Sequence, residues 1–525
     1  MIKTFLKASL FITMYLVITL SIAKKNKTQW VIDSDEEWNQ NIETKASLQI
    51  TKGIASTTSK VATFKTKPKV FTKKTVLNDV TFAASVAWDN WEPTPSKVVP
   101  PHLGDAPVAL ALGDNSYWLF GAHTSIEKMV KEREKRKKRF NGNDPVFAQY
   151  KLDNFEPKDT TLEGFDMPLK TTPYPHQFDA PGTEQPRSTG YHAWESKDMV
   201  NWIRHGAVAV NRAFLCTTAE YADGKLYIYY DYPNDQDPHL CIDDDLRDGI
   251  PGKDMGLVFK DPSDGSDCGI IRDLEGDFHL ILEDWSPIDA STHAWDSPLA
   301  MHAKSTNGYE EFKILPPAVD ERTTPTGKMG TYVHPHWTMM DRENFKSDTA
   351  TYEIHTPEQD AFGDWATIAI GGQYYLFSDY DPAGGHKMSV GMFTSSSLDK
   401  QFSFIGSVGE DHPDPDILFA ENQFYLVTQT NKDYVSPGPW VEKVEVKVGV
   451  ATTKSGEIDY WTDWQEVKES YDYIEGFAKQ ISKIPARLSL PKLPKGYAFQ
   501  LEVRLTDITK NDSKPMLESI TFNFN

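Results

Sequence analysis

The sequence predicts an all-β fold in which five similar hairpins form the blades of a five-bladed β-propeller. One pattern, an apolar strand, a tight turn and an aromatic-rich strand, occurs five times, at residues 104–122, 217–230, 266–282, 361–381 and 412–428. These copies begin about 50 to 110 residues apart, which is typical of repeated β-sheet units. In four of them an Asp stands 12 to 14 residues before a Leu of the second strand.

The fourth copy shows the pattern most clearly. Asp364 precedes an apolar strand, Gly371 and Gly372 suit a two-residue hairpin turn, and residues 374–379 are rich in β-forming aromatics. The innermost strands of a propeller converge on a central axis, so the residues just before them should face one pocket. The acids predicted to meet there are Asp105, Asp267, Asp364 and the pair Asp414 and Asp416.

The first 23 residues read as a secretory signal peptide. Lys3 and Lys7 precede an apolar run over residues 8–22, and small residues precede an expected cleavage after Ala23. The mature protein should therefore be exported, to the periplasm or beyond the cell. No later stretch is long and apolar enough to span a bilayer.

The predicted domains are the signal peptide (1–23), an N-terminal β segment (24–100), the propeller (101–465) and a C-terminal β tail (466–525). Residues 449–465 are expected to supply the last outer strands of the propeller. Alternating apolar residues at 499–506 and 517–524 indicate strands in the tail. The tail and the N-terminal segment are expected to pair as a small accessory β-sandwich.

Composition excludes several kinds of partner and cofactor. A net charge of −21 argues against nucleic acid. Three cysteines make no disulfide framework and no zinc site; a Cys216–Cys241 bridge and free buried thiols both remain open. No cofactor is predicted, although the acid clusters at 243–245 and 410–416 are compatible with a structural calcium ion.

Several acids converging in a funnel suit the cleavage of glycosidic bonds, which requires two carboxyl groups flanking the bond. The repeat resembles the five-bladed propeller glycoside hydrolases of family 43 over about residues 104–465. That resemblance implies that Asp105, in GDAP, is the general base and that Asp267, in GSDCG, orients the acid and tunes its pKa. Asp364, in FGDW, stands where the family has a Glu as proton donor, with Glu358 in reserve.

The same resemblance places His412, in EDHPDPD, at the opening of blade five, where it and Asp414 would line the pocket. His334 and His336, in TYVHPHW, would share one face of a strand and contact the sugar or serve as an acid; buried, hydrogen-bonded histidines are the equal alternative. Trp285 would stack on a sugar ring or pack between blades.

The sequence therefore predicts a secreted, exo-acting, inverting glycosidase of the β-xylosidase or α-L-arabinofuranosidase type that trims plant or algal polysaccharide. One alternative is an exo-glycosidase acting on the anhydrogalactose or uronic sugars of algal walls. Another is a non-catalytic carbohydrate-binding propeller, because Asp replaces Glu in blade four.

Overall fold

The structure is a computed structural model. It describes residues 28–84, 92–93, 107–112, 115–123, 190–209, 216–232, 238–262, 267–284, 299–319, 360–382, 389–408, 414–421, 423–428, 435–436, 443–490, 492–506 and 516–525. These residues form one short helix and many strands, so the fold is nearly all-β as predicted.

The helix and the first strands lie before the repeats. The helix α1 is Asp35–Asn41, and the strands are β1 Thr28–Ile32, β2 Ile42–Ala46, β3 Leu48–Thr51, β4 Ile54–Thr57, β5 Val61–Thr66, β6 Lys69–Thr75 and β7 Leu77–Ala84. Helix α1 begins where it does because the Ser34 side chain caps it, accepting a hydrogen bond from the Glu37 N–H (3.2 Å).

The next twenty strands include all five repeats. They are β8 Glu92–Pro93, β9 Val108–Leu112, β10 Ser116–His123, β11 Gly190–Ser196, β12 Trp202–Ala209, β13 Cys216–Ala222, β14 Lys225–Asp231, β15 Pro238–Asp243, β16 Lys253–Leu257, β17 Gly269–Arg272, β18 Phe278–Glu283, β19 Ala300–Ser305, β20 Lys313–Val319, β21 Ala361–Ile370, β22 Gln373–Asp381, β23 Ser389–Ser395, β24 Ser403–Val408, β25 Asp416–Ala420, β26 Gln423–Val427 and β27 Val435–Ser436.

The last strands follow the repeats. They are β28 Lys443–Ala451, β29 Tyr460–Trp461, β30 Gln465–Glu466, β31 Ser470–Tyr473, β32 Gln480–Ile484, β33 Ala486–Leu488, β34 Gly496–Thr506 and β35 Met516–Phe524.

The chain forms two compact units. Of the described residues, those between 92 and 436 and those at 471–484 belong to the repeat unit, and those at 28–84, 443–470 and 485–525 belong to the terminal unit. In each unit the strands pair mostly in antiparallel fashion.

The described residues of the repeat unit form five sheets, each built on one of the predicted hairpins. Their strand orders are β12-β11-β10-β9, β13-β14-β15-β16, β17-β18-β19-β20, β24-β23-β22-β21 (extended by β32-β31) and β25-β26-β27-β8. The first strands β9, β13, β17, β21 and β25 neighbour one another in that order, and β25 also neighbours β9. These strands lie where the repeats predict inner strands.

The outer strands of the fifth sheet differ from the prediction for residues 449–465. β28 pairs along its length with β34, in the terminal unit, and β29 and β30 pair with β28. The fifth sheet is completed instead by β27 and by β8, which comes from before the first repeat. β34 is long enough to form hydrogen bonds with β28 along its whole length. Pairing between strands so far apart in the chain leaves no local pattern in the sequence.

The terminal unit is the sandwich expected from the two ends of the chain. One sheet has the order β3-β4-β35-β7-β33 with β1 on β35, and the other has the order β2-β5-β34-β28-β29 with β6 on β34. Apolar residues from both sheets form one buried cluster, which includes Phe64, Phe82, Val448, Leu501 and Phe522. The alternating burial of β34 and β35 follows the alternating pattern of their sequences.

Residues 471–484 return to the repeat unit and bring a buried lysine to its first strands. β32 pairs in parallel with β21, and the Ala369 N–H donates to the Lys479 carbonyl oxygen (2.9 Å). The Lys479 ammonium, only 2% exposed, donates to the Thr218 Oγ1 (3.3 Å) and to the Ile270 carbonyl oxygen (3.0 Å). One side chain thus connects strands of the second, third and fourth sheets.

Two smaller predictions concern the cysteines and the membrane. Cys241 and Cys268 are both buried, whereas the Cys216 side chain is not described, so the Cys216–Cys241 bridge stays a prediction. The described part of the chain contains no helix long and apolar enough to cross a membrane. The predicted signal peptide lies outside the described residues.

Candidate acidic site

Three of the predicted acids share an unusual backbone conformation. Asp267, Asp364 and Asp414 have φ angles of +42°, +51° and +51°, in the left-handed region. Only a few per cent of residues other than glycine adopt it, with Asp and Asn enriched, and such residues cluster at functional sites. The repeated sequence offset therefore corresponds to a repeated backbone turn in the third, fourth and fifth sheets.

A β-bulge directs Asp364 towards its neighbours. β21 and β22 pair as Gly363 with Asp379 and then as Ala366 with Phe377, so β21 carries one extra residue there. A bulge of this kind re-aims the side chains of the bulged strand. The observed β21 begins at Ala361, and Asp364 therefore lies within the strand rather than before it.

Close packing of neighbouring strands brings the third sheet to the same point. A Cβ atom on Gly269 would lie 2.4 Å from the Trp365 carbonyl oxygen, so this position accepts only glycine. The Thr367 Oγ1 also donates to the Ile270 carbonyl oxygen (2.6 Å). These contacts hold β17 against β21 just beyond Asp267 and Asp364.

The fifth sheet joins through a hydrogen bond to a further acid. The Asp414 N–H donates to the Asp379 Oδ1 (2.8 Å), and Asp379 is 3% exposed. One carboxylate oxygen from each of Asp364, Asp379 and Asp414 lies within 4.8 Å of the others. We call these three residues the acid cluster.

Burial and neighbouring acids raise the pKa of Asp364 well above its usual range. Desolvation is the largest cause, followed by the negative charges of Asp267, Asp414 and Asp379. A hydrogen bond between Asp364 and Asp414 raises the pKa further because it favours the protonated form of Asp364. Asp364 nevertheless keeps part of its surface open to solvent. A protonated carboxyl that solvent can reach is able to act as a proton donor.

The carboxylate oxygens of the acid cluster lie too close together for two of its members to form the acid–base pair of an inverting glycosidase. An acid and a base that flank a glycosidic bond stand about 6.5–9.5 Å apart in inverting enzymes and about 5–5.5 Å apart in retaining ones. Oxygens within 4.8 Å of each other leave no room for a sugar and a water between them. The acid cluster can therefore share a proton, and a base on the opposite face must come from another residue.

The acid cluster could alternatively hold a divalent cation such as calcium. Carboxylate oxygens are the ligands that hard cations prefer, and three are available here. A cation would bind ionised carboxylates, whereas burial and crowding favour a proton on Asp364. Cation and proton would thus compete for the same oxygens.

The predicted site residues have different outcomes. The structure brings Asp267, Asp364 and Asp414 together. Asp416 lies beside them in sequence but has a structural role, because its Oδ2 accepts the Ala109 N–H (2.7 Å) and joins the fifth sheet to the first. The other predicted residues lie outside the described residues: Asp105, Trp285, His334, His336, Glu358 and His412.

Sequence reasoning missed Asp379 as a site residue. Counting back along the hairpin from Gly371 and Gly372 places Asp379 opposite Asp364, so the sequence did carry a signal, although the bulge shifts the observed partner to Gly363. Asp231 and Glu283 end the second strands of the second and third sheets in a similar way, and both are buried. The negative charge of Asp231 also acts on Cys268, next to Asp267.

Comparison with known proteins gives structural likenesses only. No protein-family model and no curated protein sequence matches the chain. The chain is similar to a solved α-L-arabinofuranosidase from Clostridium thermocellum, at 12% identity and a TM-score of 0.33, over 73% of this chain and 95% of that one. It is also similar to the RS223 β-xylosidase (13%, TM-score 0.35, over 74% and 98%).

A third similar structure is the Cellvibrio cellulosa α-L-arabinanase complexed with arabinohexaose (11%, TM-score 0.34, over 73% and 96%). Likenesses at this level of identity and TM-score do not assign an activity. The function proposed below therefore rests on the acid cluster.

Proposed function

We propose that this protein is a glycoside hydrolase whose five sheets are the blades of a five-bladed β-propeller. The observation that carries the proposal is the acid cluster, in which carboxylate oxygens of Asp364, Asp379 and Asp414 lie within 4.8 Å of one another; burial and the neighbouring charges raise the pKa of Asp364 there. A general acid must be protonated at the working pH, and burial beside like charges is how a carboxyl is kept so. The cyclic order of the first strands, from β9 to β25, supports the propeller.

In the proposed mechanism Asp364 protonates the leaving oxygen of the glycosidic bond. Asp267, Asp379 and Asp414 keep that proton in place until the substrate takes it, because ionising Asp364 would add a negative charge beside theirs. Asp105, on the other face of the sugar, would deprotonate the attacking water. The reaction would then proceed with inversion.

The substrate class follows from the sequence resemblance. We propose exo-acting cleavage of terminal xylose or arabinose from plant or algal polysaccharide, by a protein exported after cleavage near Ala23. The non-catalytic alternative is weakened by Asp364, since a pocket that only binds sugar has no need of a carboxyl with a raised pKa.

The test measures hydrolysis by the wild type and by Asp364→Asn, Asp267→Asn and Asp223→Asn. Asp223 is a matched control, because it is exposed and has a φ angle of +51° in a hairpin turn away from the acid cluster. Substrates are natural oligosaccharides and nitrophenyl glycosides of xylose and arabinose. We expect Asp364→Asn to slow oligosaccharide hydrolysis by about 10²–10⁴-fold and nitrophenyl hydrolysis much less, because nitrophenolate needs little protonation to leave.

Asp267→Asn should act differently. It removes a negative charge that raises the pKa of Asp364, so the alkaline limb of the pH–rate profile should move to lower pH. Asp223→Asn should behave as the wild type. Wild-type rates for Asp364→Asn on oligosaccharides would remove Asp364 from the donor role, and sugar binding without any hydrolysis by the wild type would establish the non-catalytic alternative.

A further inference from the structure

A pair of tryptophans lies on the outer face of one sheet of the terminal unit. In β28 the side chains of Val446, Val448 and Val450 are buried in the core, so the alternate residues Lys447 and Gly449 face the other side of the sheet. Trp461 and Trp464, from the segment that pairs with the edge of β28, lie over this outer face. We call the two rings and the charged side chains beneath them the tryptophan platform.

Glycine at position 449 leaves room for the Trp461 ring against the sheet. A Cβ atom on Gly449 would lie 2.9 Å from both Cη2 and Cζ2 of Trp461, and 2.6 Å from Ile458 Cγ2. Any residue but glycine would therefore displace the ring. The Nζ atoms of Lys447 and Lys65 lie 4.9 and 5.6 Å from the centre of the same ring.

Trp464 is supported in the same manner. Lys447 Nζ lies 4.9 Å and Arg504 Cζ 4.3 Å from its ring centre. Cross-strand pairing of Lys447 with Glu502, of Glu502 with Lys65 and of Glu445 with Arg504 places all these charged residues on one face. The cations that contact the rings come from the strands of the sheet, and both tryptophans are only half-buried, so part of each ring is open to solvent.

The charges beneath the rings carry an excess of positive sign. Glu502 pairs with Lys447 (2.8 Å) and Lys65 (3.6 Å), and Glu445 pairs with Arg504 (3.1 Å) and Lys443 (3.1 Å). Glu466 lies opposite Glu445 and pairs with Lys468 (3.2 Å). With the exposed Asp463, between the two tryptophans, the platform and its edge carry five cations and four acids, an excess of one in a chain whose net charge is −21.

Arg504 has donor capacity beyond its ion pair. Its Nη1 bonds Glu445, its side chain is 38% exposed, and a guanidinium has five N–H donors. A guanidinium whose Cζ lies 4.3 Å from the Trp464 ring centre keeps further donors, and a planar carboxylate could match two of them.

We propose that the tryptophan platform binds a polysaccharide that carries uronate carboxylates. The C–H faces of successive sugars would stack on the outer faces of Trp461 and Trp464, and a carboxylate would reach Arg504. Rings already held in place lose little conformational freedom on binding, which favours affinity. This site is separate from the acid cluster, and its occupancy does not depend on the proposed hydrolysis.

The test measures affinity of the full-length protein for polygalacturonate and for the same polymer after its carboxyl groups have been reduced. Trp464→Ala and Arg504→Gln remove the stacking surface and the carboxylate partner. Val70→Ala is the control, because Val70 is an exposed apolar residue (65%) in β6 of the same unit. Asp364→Asn tests the acid cluster as an alternative binding site.

We expect the wild type to bind polygalacturonate at least tenfold more tightly than the reduced polymer, with affinity falling as salt rises. Trp464→Ala and Arg504→Gln should each weaken binding about tenfold, whereas Val70→Ala and Asp364→Asn should bind as the wild type. If Trp464→Ala fails to fold, the affinity of Arg504→Gln and the salt dependence of wild-type binding still test the proposal.

Three results would overturn the proposal. One is the absence of wild-type binding to polygalacturonate, and another is equal binding by the platform variants. The third is a platform variant that changes the oligomeric state of the protein instead of its affinity for the polymer, which would make this face an interface between copies of the chain.

Discussion

Replacement of the buried lysine Lys479 by methionine should destabilise the repeat unit strongly. The ammonium lies near two buried acids, Glu220 on β13 and Asp416 on β25, and its positive charge lowers the pKa of both while desolvation raises it. Asp416 in turn accepts hydrogen bonds from the N–H groups of Ala109 and Ile417. Methionine keeps most of the volume of the side chain and removes only the charge and its donors.

The expected cost follows from these contacts. Lys479→Met removes the hydrogen bonds to Thr218 Oγ1 and to the Ile270 carbonyl oxygen, and bonds from a charged donor contribute about 1.5–3 kcal/mol each. Removing one member of a buried ionic group costs about 3–5 kcal/mol in other proteins. We therefore expect the free energy of unfolding of the repeat unit to fall by about 3–5 kcal/mol at pH 7.

The pH dependence of this loss gives a second, independent readout. Without the lysine, the pKa values of Glu220 and Asp416 rise further in the folded state, whereas in the unfolded chain these acids ionise near pH 4. An acid whose pKa is raised in the folded state destabilises the fold as the pH rises above the pKa of that acid in the unfolded chain. The cost of Lys479→Met should therefore be smallest near pH 4 and grow towards pH 8.

The assay is urea unfolding of the full chain followed by tryptophan fluorescence and far-UV circular dichroism. Lys225→Met is the matched control, because Lys225 is an exposed lysine at the start of β14, and it should change the free energy by less than about 0.5 kcal/mol. A loss below about 1 kcal/mol for Lys479→Met, or a loss that does not vary with pH, would refute a role for Lys479 as the buried partner of these acids.

Three further predictions concern single sites. Asp364→Asn should stabilise the protein increasingly above pH 4, by more than about 1 kcal/mol at pH 8. The reason is that a raised pKa costs about 1.4 kcal/mol per unit once the carboxyl is ionised in the unfolded chain. Thermal unfolding of the variant and the wild type at pH 4 and pH 8 would show this gain, and equal stability of the two proteins at both pH values would contradict it. Burial raises the pKa of Asp243 to about 7, so this carboxyl should lower the stability of the wild type as the pH rises from 4 to 7, and Asp243→Asn should make that fall less steep in a denaturation series. Gly449→Ala should lower the free energy of unfolding by about 1–3 kcal/mol, because the new Cβ would overlap Trp461 and Ile458. An unchanged midpoint of chemical denaturation would show that the rings can move to make room for it.

Local patterns in the sequence were enough to predict the strands of the repeats. Alternation, aromatic content and the turn at Gly371 and Gly372 all act within one hairpin, and β21, β22 and β25 lie where these signals predict them. The common offset of the Asp residues was also informative, because a left-handed residue near the start of the first strand, as in the third, fourth and fifth sheets, is a local conformation that Asp tolerates. Asp267, Asp364 and Asp414 were therefore found before any contact between sheets was known.

Only the tertiary structure decided which acids share a proton. The hairpin register sets Asp379 beside Asp364, but the bulge at Asp364 and the hydrogen bond from Asp414, which comes from another sheet, complete the acid cluster. The raised pKa of Asp364 likewise depends on burial and on charges from other sheets, which sequence spacing does not measure.

The partners of β28 and of Lys479 also could not be predicted from the sequence. Strand pairing is specified by backbone groups that every residue possesses, so β28 could be placed with the fifth sheet or with β34 on local signals alone. A lysine in sequence reads as a surface residue, because its charge is rarely buried without a partner. The acids and carbonyl groups that make burial of Lys479 favourable come from positions more than 60 residues away, and only the folded chain brings them to it.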